Sequence, residues 1–114
     1  MIDFVAAAGL LLSLEVVPPS QLISGSPMTG FAELGEFDGH PYGVWEMTVG
    51  AMSDVEEDEL FIVLSGTGTV NFSTGEQLAL EPGTVGRLTA GQETVWTATS
   101  TLRKVYVSGA ALGG

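Results

Sequence analysis

Hydrophobic and polar residues along this chain alternate at two-residue intervals far more than at three or four. Period-two alternation belongs to strands that bury one face. It is clearest in seven short runs: Tyr42 to Thr48, Glu59 to Leu64, Thr67 to Phe72, Gln77 to Leu80, Val85 to Leu88, Thr94 to Thr99 and Leu102 to Val107. Between them fall Gly50, the acidic stretch 54–58, Gly66, Ser73-Thr74-Gly75, Glu81-Pro82-Gly83, Ala90-Gly91 and Ser100, which read as turns and loops. Helical periodicity is weak everywhere after residue 15. Many short strands at this spacing predict an antiparallel sandwich or barrel. No long internal repeat is visible and nothing points to a second domain. The stretch from Pro18 to Asp38 is rich in Gly, Pro and Ser and reads as a lead-in arm with room for one strand.

The N-terminus breaks the pattern. Phe4 to Leu14 is a nearly continuous apolar run, but Asp3 is its only early charge and it ends at Glu15 and Pro18-Pro19. A positive leading region and a clear cleavage site, the marks of an export signal, are missing. The run is also shorter than the ~20 apolar residues that cross a membrane. It is expected to be a packed helix or strand, with Ile2 to Val17 forming the interface of a homodimer, because a soluble chain does not leave such a patch bare. The chain therefore divides into an N-terminal arm, 1–24, and a barrel, 25–114.

Composition narrows the function classes. With 114 residues, 45% hydrophobic and 15% charged, the chain can bury a core without disulfides. The absence of Cys excludes a thiol nucleophile and a Cys-ligated metal. Three basic against 14 acidic residues give a net charge of -11, which opposes binding to nucleic-acid phosphates and to anionic membrane surfaces. The expected location is the cytoplasm, and the expected partners are a small molecule and a second copy of the chain.

A set of ordered motifs gives a more specific picture. Ser24-Gly25-Ser26-Pro27 is followed by Gly43-Val44-Trp45-Glu46, then Gly50, Asp58-Glu59 and Gly66, with six residues between Glu59 and Gly66. Gly75, Gly83, Gly91 and Trp96 follow, and Arg103-Lys104-Val105-Tyr106 closes the series. In this order the motifs resemble the small single-domain cupins of the ethanolamine-utilisation and ureidoglycine-related type, over about three quarters of the chain. The resemblance implies an all-β fold, a cupin-type double-stranded β-helix (jelly-roll) barrel preceded by a short apolar segment.

Departures from the wider cupin pattern bear on chemistry. The two His that normally join Glu59 in holding a metal fall on Ser53 and Val55, or on Met52 and Asp54. In the second motif the His position is Thr94, and Thr84 and Thr89 replace the usual Asp and Pro. A carboxylate with a Thr hydroxyl is not the nitrogen-rich set that divalent transition metals prefer. Neither a metal nor another cofactor is expected.

The remaining candidates follow from strand parity. Glu59, Phe61 and Val63 share one strand face, which the resemblance turns inward; Lys104 and Tyr106 share a face of the last strand. A buried carboxylate needs a partner, and Lys104 is available to Glu59 or to Glu46. Such a cluster either ties strands together or binds and transfers protons in a pocket. Trp45 and Trp96 are either core or a stacking wall, and Glu46 lies on the opposite face from Trp45. His40 reads as an exposed loop residue, and 54–58 as a solvated acidic loop whose charges repel. The ligand-binding set is therefore Glu46, Glu59, Phe61, Trp96, Lys104 and Tyr106. The leading function is a small-molecule-binding cupin without the His triad. The first alternative is a metal-independent enzyme acting on a small polar metabolite (an amino-acid, ureide or sugar derivative), with Glu59, Lys104 and Tyr106 catalytic. The second is a structural or partner-binding barrel.

Overall fold

A computed structural model of the protein describes residues 5–109. After a single 3-10 turn, Ala7–Gly9, the chain forms strands β1 (Glu15–Val16), β2 (Leu22–Gly25), β3 (Met28–Phe37), β4 (His40–Met47), β5 (Gly50–Val55) and β6 (Glu59–Ser65). They continue as β7 (Gly68–Phe72), β8 (Gln77–Leu80), β9 (Val85–Leu88), β10 (Glu93–Ala98) and β11 (Leu102–Ser108). Two antiparallel sheets result, one in the order β1-β3-β4-β11-β6-β9 and the other β2-β5-β10-β7-β8. This is the antiparallel arrangement expected from the alternation, in the jelly-roll form that the resemblance implies. All seven expected strands are present, with ends within two residues of the sequence reading.

Two elements differ from expectation. The lead-in stretch holds the ten-residue β3 as well as β2, so residues 1–24 and the segment after them contribute strands to both sheets. Small and polar residues weaken the alternation of β3, which is held by its register with β4. The acidic stretch is only partly a loop: β5 runs through Asp54 and Val55 and pairs with β10 from Val55↔Glu93 to Gly50↔Ala98.

The core lies between the sheets. At one end Met47, Val63, Val70, Leu80, Ala98 and Leu102 pack as a continuous apolar filling, each nearly or wholly buried. Burial of such side chains is worth roughly 1.5–3 kcal/mol each before entropy is counted. Toward the other end the inward rows become aromatic and charged, and the filling gives way to a cavity.

The N-terminal segment covers part of the outer face of the six-stranded sheet. Arg103 Nη1 donates to the carbonyl of Ala7 at 2.8 Å, across 96 positions of sequence. A Cβ at position 30 would collide with the carbonyl oxygen of Ser13, so Gly30 is what allows the segment to cross β3 so closely. Leu10, Leu12 and Leu14 are half-buried while Leu11 and Ser13 are exposed, which is the alternation of an extended segment rather than a helix. Residues 1–4, including Ile2 of the expected interface, lie outside the described residues. No helix among the described residues is long and apolar enough to cross a membrane.

Candidate functional site

Register explains why the polar side chains meet. In the six-stranded sheet Trp45 is the direct cross-strand partner of Lys104, and one row further on Gly43, Tyr106, Phe61 and Gly86 stand side by side. Gly43 and Gly86 make room for the rings between them: a Cβ at 43 would lie 2.7 Å from the Tyr106 hydroxyl, and one at 86 would collide with the Phe61 ring. In the facing sheet Met52 pairs with Trp96 and Asp54 with Thr94. Between these rows lies a cavity of about 220 Å³, walled by Trp45, Met52, Trp96 and Tyr106, with Phe31 among its lining residues. Asp54, Glu56, Glu59 and Lys104 supply its charge.

Lys104 forms the centre of the cluster. Its side chain is only 8% exposed, and Nζ donates to Glu59 Oε2 at 2.6 Å. The ammonium also lies 4.6 Å from the Trp45 ring centre, 4.5 Å from Trp96 and 4.9 Å from Phe61. The negative faces of aromatic rings attract a cation at these distances. Trp96 in turn packs tilted against Trp45 and Phe61, with centroids 5.4 and 5.6 Å away. Most of the neutralisation of Lys104 therefore comes from one carboxylate and three π-faces.

A second carboxylate is fixed from the facing sheet. Glu56 is buried, and its Oε2 accepts from Thr94 Oγ1 at 2.6 Å and from Trp96 Nε1 at 2.8 Å. The indole N–H thus orients Glu56 while the indole face supports Lys104. Asp54, also on the cavity wall, accepts from the backbone N–H of Val55 at 2.9 Å. Burial raises its pKa from 3.8, and the negative charges of Glu56 and Glu59 add to the rise, against smaller lowering by the Val55 N–H and Lys104. Burial, followed by Glu33 and Glu59, also pushes the Tyr106 phenol above its ordinary value of 10.0.

The Asp54 shift has a definite consequence for stability. An acid whose folded-state pKa is raised binds its proton more readily when folded, so ionising it works against folding. Its relative contribution is best below the unfolded value of 3.8 and declines as pH rises through the higher folded value. Asp54→Asn removes that decline, so the variant should gain stability over wild type as pH rises from 4 toward neutrality. Thermal melts of both proteins across that range check it; parallel curves would mean that Asp54 is freely solvated.

Of the residues expected from sequence, Glu59, Trp96, Lys104 and Tyr106 line the cavity, and Phe61, 1% exposed, lies beneath the ammonium as its floor. Glu46 does not reach the cavity. It points to the opposite side of the sheet, where its Oε1 accepts from Arg103 Nη2 at 2.7 Å and from Nε at 3.0 Å. Parity decides this: the Trp45 face is the inner one, so its neighbour must point out. His40 begins β4 half-buried, with Nδ1 donating to the Ser108 carbonyl at 3.1 Å, instead of standing free in a loop.

Sequence reasoning missed Asp54 and Glu56. Period-two counting from Met52 would have placed both on the inner face, but a run of acids reads as solvated because their charges repel. The donors that offset this, Thr94 and Trp96, come from a strand about 40 positions later. A larger recess, about 610 Å³, lies against the five-stranded sheet around Gln21, Ser53 and Asn71. Gln21 and Ser53 already satisfy one another there, and it holds no comparable cluster of charges and aromatic rings.

The donor set does not fit the metal of the wider cupin pattern. Parity selects Met52 and Asp54, rather than Ser53 and Val55, as the inward residues at the first two ligand positions. Met52 offers a thioether, Thr94 gives its hydroxyl to Glu56, and Glu59 is held by Lys104. Among the described residues no group of three His, Cys, Asp or Glu is arranged to hold a metal ion. Of the two ligand-position carboxylates, Asp54 and Glu59, the second is held by an ammonium.

The comparisons with known proteins agree with this fold. The family model of the EutQ-like cupin domain matches residues 34–106. The chain belongs to the EutQ-like cupin family. No curated protein matches this EutQ-like cupin closely enough to add to that assignment. Among solved structures, a DUF861-family protein of unknown function from Pseudomonas syringae pv. tomato is similar at 25% identity and a TM-score of 0.75. The match covers 89% of this chain but 45% of that protein, so the chain spans less than half of its length. Clostridium difficile EutQ is similar at 18% identity and a TM-score of 0.67, over 84% of this chain and 81% of its own. Ectoine synthase from P. lautus is similar at 18% identity and 0.64, over 76% and 67%. Likeness at such identities establishes the fold, and this cupin fold carries varied activities.

Proposed function

We propose that this EutQ-like cupin binds a small molecule in the cavity between its sheets, without a His-held metal. The observation that carries this reading is the convergence of Asp54, Glu56, Glu59 and Lys104 on a partly open cavity walled by two tryptophans and a tyrosine. Pockets with apolar walls and a few convergent polar groups are the usual form of ligand sites. A metabolite screen by thermal shift tests it: a ligand at one hundred times its Kd stabilises the fold by about 2.7 kcal/mol. A hit whose shift is lost in Trp45→Ala supports the cavity. A hit unaffected by Trp45→Ala and by Asp54→Asn would move the site elsewhere.

One observation favours a second reading, a metal-independent enzyme acting on a small polar metabolite. The Glu59–Lys104 contact at 2.6 Å leaves Asp54 as a cavity carboxyl whose pKa is raised, a combination suited to proton transfer. In that case Asp54 takes the general-base role first given to Glu59, while Lys104 and Tyr106 position the substrate.

We also propose that the protein works as a homodimer, through a different surface from the N-terminal run. On the outer face of β11, β6 and β9, Val105, Ile62 and Val85 form one cross-strand row and Val107, Leu60 and Arg87 the next. Leu60, Ile62 and Val85 are 52%, 46% and 66% exposed. Arg87 is the only charge in those rows of a chain with net charge -11, and it lies 4.0 Å from the Asp58 carboxylate beside it, so a second copy meets an apolar patch of low net charge there. Light scattering should give a dimer for wild type and a monomer for Ile62→Lys. A monomeric wild type at micromolar concentration would reject the interface.

A further inference from the structure

We infer that the ligand of this cavity is a small organic cation, an aliphatic amine or quaternary ammonium held by Asp54, Glu56 and the tryptophan faces. The inference rests on the cavity reading above and names its ligand class. Three carboxylates line the space against one ammonium, and that ammonium is committed to Glu59. The other two cations of the chain are elsewhere: Arg103 pairs with Glu46 on the outer face, and Arg87 lies 4.0 Å from Asp58 at the surface. Two negative charges of the cavity are therefore without a cation among the described residues.

A second, independent observation comes from Glu56. It is only 7% exposed, yet both of its side-chain donors bind the same oxygen, Oε2. Among the described residues Oε1 makes no hydrogen bond, although Glu56 lines the cavity. Oε1 is not sealed from solvent, since no buried side-chain oxygen among the described residues lacks a partner, so it stands open to a donor that enters the cavity. A ligand ammonium supplies both that donor and the missing charge.

The walls match the same chemistry. Trp45 and Trp96 already hold one ammonium at 4.6 and 4.5 Å from their ring centres, which shows that the local geometry accepts a cation against π-faces. A volume of about 220 Å³ corresponds to roughly seven water molecules. That admits a short alkylammonium and excludes large polyamines in folded form. An anionic ligand would meet Asp54 and Glu56 with no unpaired cation to receive it.

Trp45 and Trp96 are the only tryptophans of the chain, so intrinsic fluorescence reports directly on the cavity. Propylammonium, tetramethylammonium, propionate and propanol would be titrated at constant ionic strength into wild type and Asp54→Asn. The two cations should change the emission saturably, while propionate and propanol should not. Asp54→Asn should raise the Kd of the cations by about tenfold or more, the effect of losing one charged contact. Saturable binding of propionate or propanol with the cations silent would overturn the ligand class and leave the cavity standing. Cation binding equally tight in Asp54→Asn would overturn the role of the acidic wall. Emission unchanged by all four probes would overturn the class, and with a blank metabolite screen the cavity reading would fall as well.

Discussion

Lys104→Met should destabilise the protein by on the order of 3 kcal/mol, because it leaves a largely buried carboxylate without its cation. The Lys104 side chain is 8% exposed and that of Glu59 19%, so neither charge is fully compensated by water. Met reproduces most of the apolar stem and still lies against Trp45, Phe61 and Trp96. The loss therefore reports on charge rather than on a hole in the packing. Combining Lys104→Met with Glu59→Gln should recover much of the cost, since neither charge then remains unpaired. Urea unfolding of the two single variants and the double variant measures the coupling directly. Nearly neutral, additive single variants would place both side chains in water and remove the polar anchor of the cavity.

That pair also shows how far the sequence could be read. Parity on β6 and β11 grouped Glu59 with Phe61 and Lys104 with Tyr106, because alternation in a strand is a local property, and the resemblance turned the Glu59 face inward. Parity could not choose between Glu59 and Glu46 as the partner of Lys104. The choice depends on which face of β4 is buried, and Trp45 decides it by occupying the inside. Arg103 then takes Glu46 on the outer face at 2.7 Å, which also anchors the N-terminal segment through Ala7. The seven strands with clear alternation were legible for the same reason as the parity, with β3 and β5 the exceptions. The inner positions of β5 are Met52 and Asp54, followed by Glu56, and a carboxylate reads as interior only once its long-range donors are known. The acidity of 54–58 thus concealed two of the three cavity carboxylates.

Glu56 and Asp54 also change what the missing His residues mean. Loss of metal ligands alone would suggest an emptied site. Instead two of the four ligand positions hold side chains that engage other inward groups: Thr94 binds Glu56, and Glu59 binds Lys104. The interior has kept a charged centre, with an ammonium rather than a metal bound to Glu59, and its excess charge is negative. That sign is what the proposed ligand has to answer.

Trp96 should be the most expensive single side chain to truncate, because it serves four neighbours at once. It is 3% exposed in the core, packs against Trp45 and Phe61, lies under the Lys104 ammonium and donates its indole N–H to Glu56. Trp96→Ala should cost about 3–5 kcal/mol, the range for removing a buried large aromatic side chain. Trp96→Phe separates the contributions. It keeps a π-face for Lys104 and most of the apolar contact, but Glu56 Oε2 retains only the Thr94 hydroxyl. The expected loss is smaller, about 1–3 kcal/mol for a buried acceptor deprived of a donor. Adding Glu56→Leu to Trp96→Phe tests that assignment, since it removes the charge that has lost its donor at the expense of leaving Thr94 to find another acceptor. The double variant should be less destabilised than the two singles predict by addition. If Trp96→Phe matches Trp96→Ala, the ring face contributes little and the indole N–H alone orders the site. If both variants are nearly as stable as wild type, the aromatic wall is not packed as described and the cavity has no fixed shape with which to select a ligand.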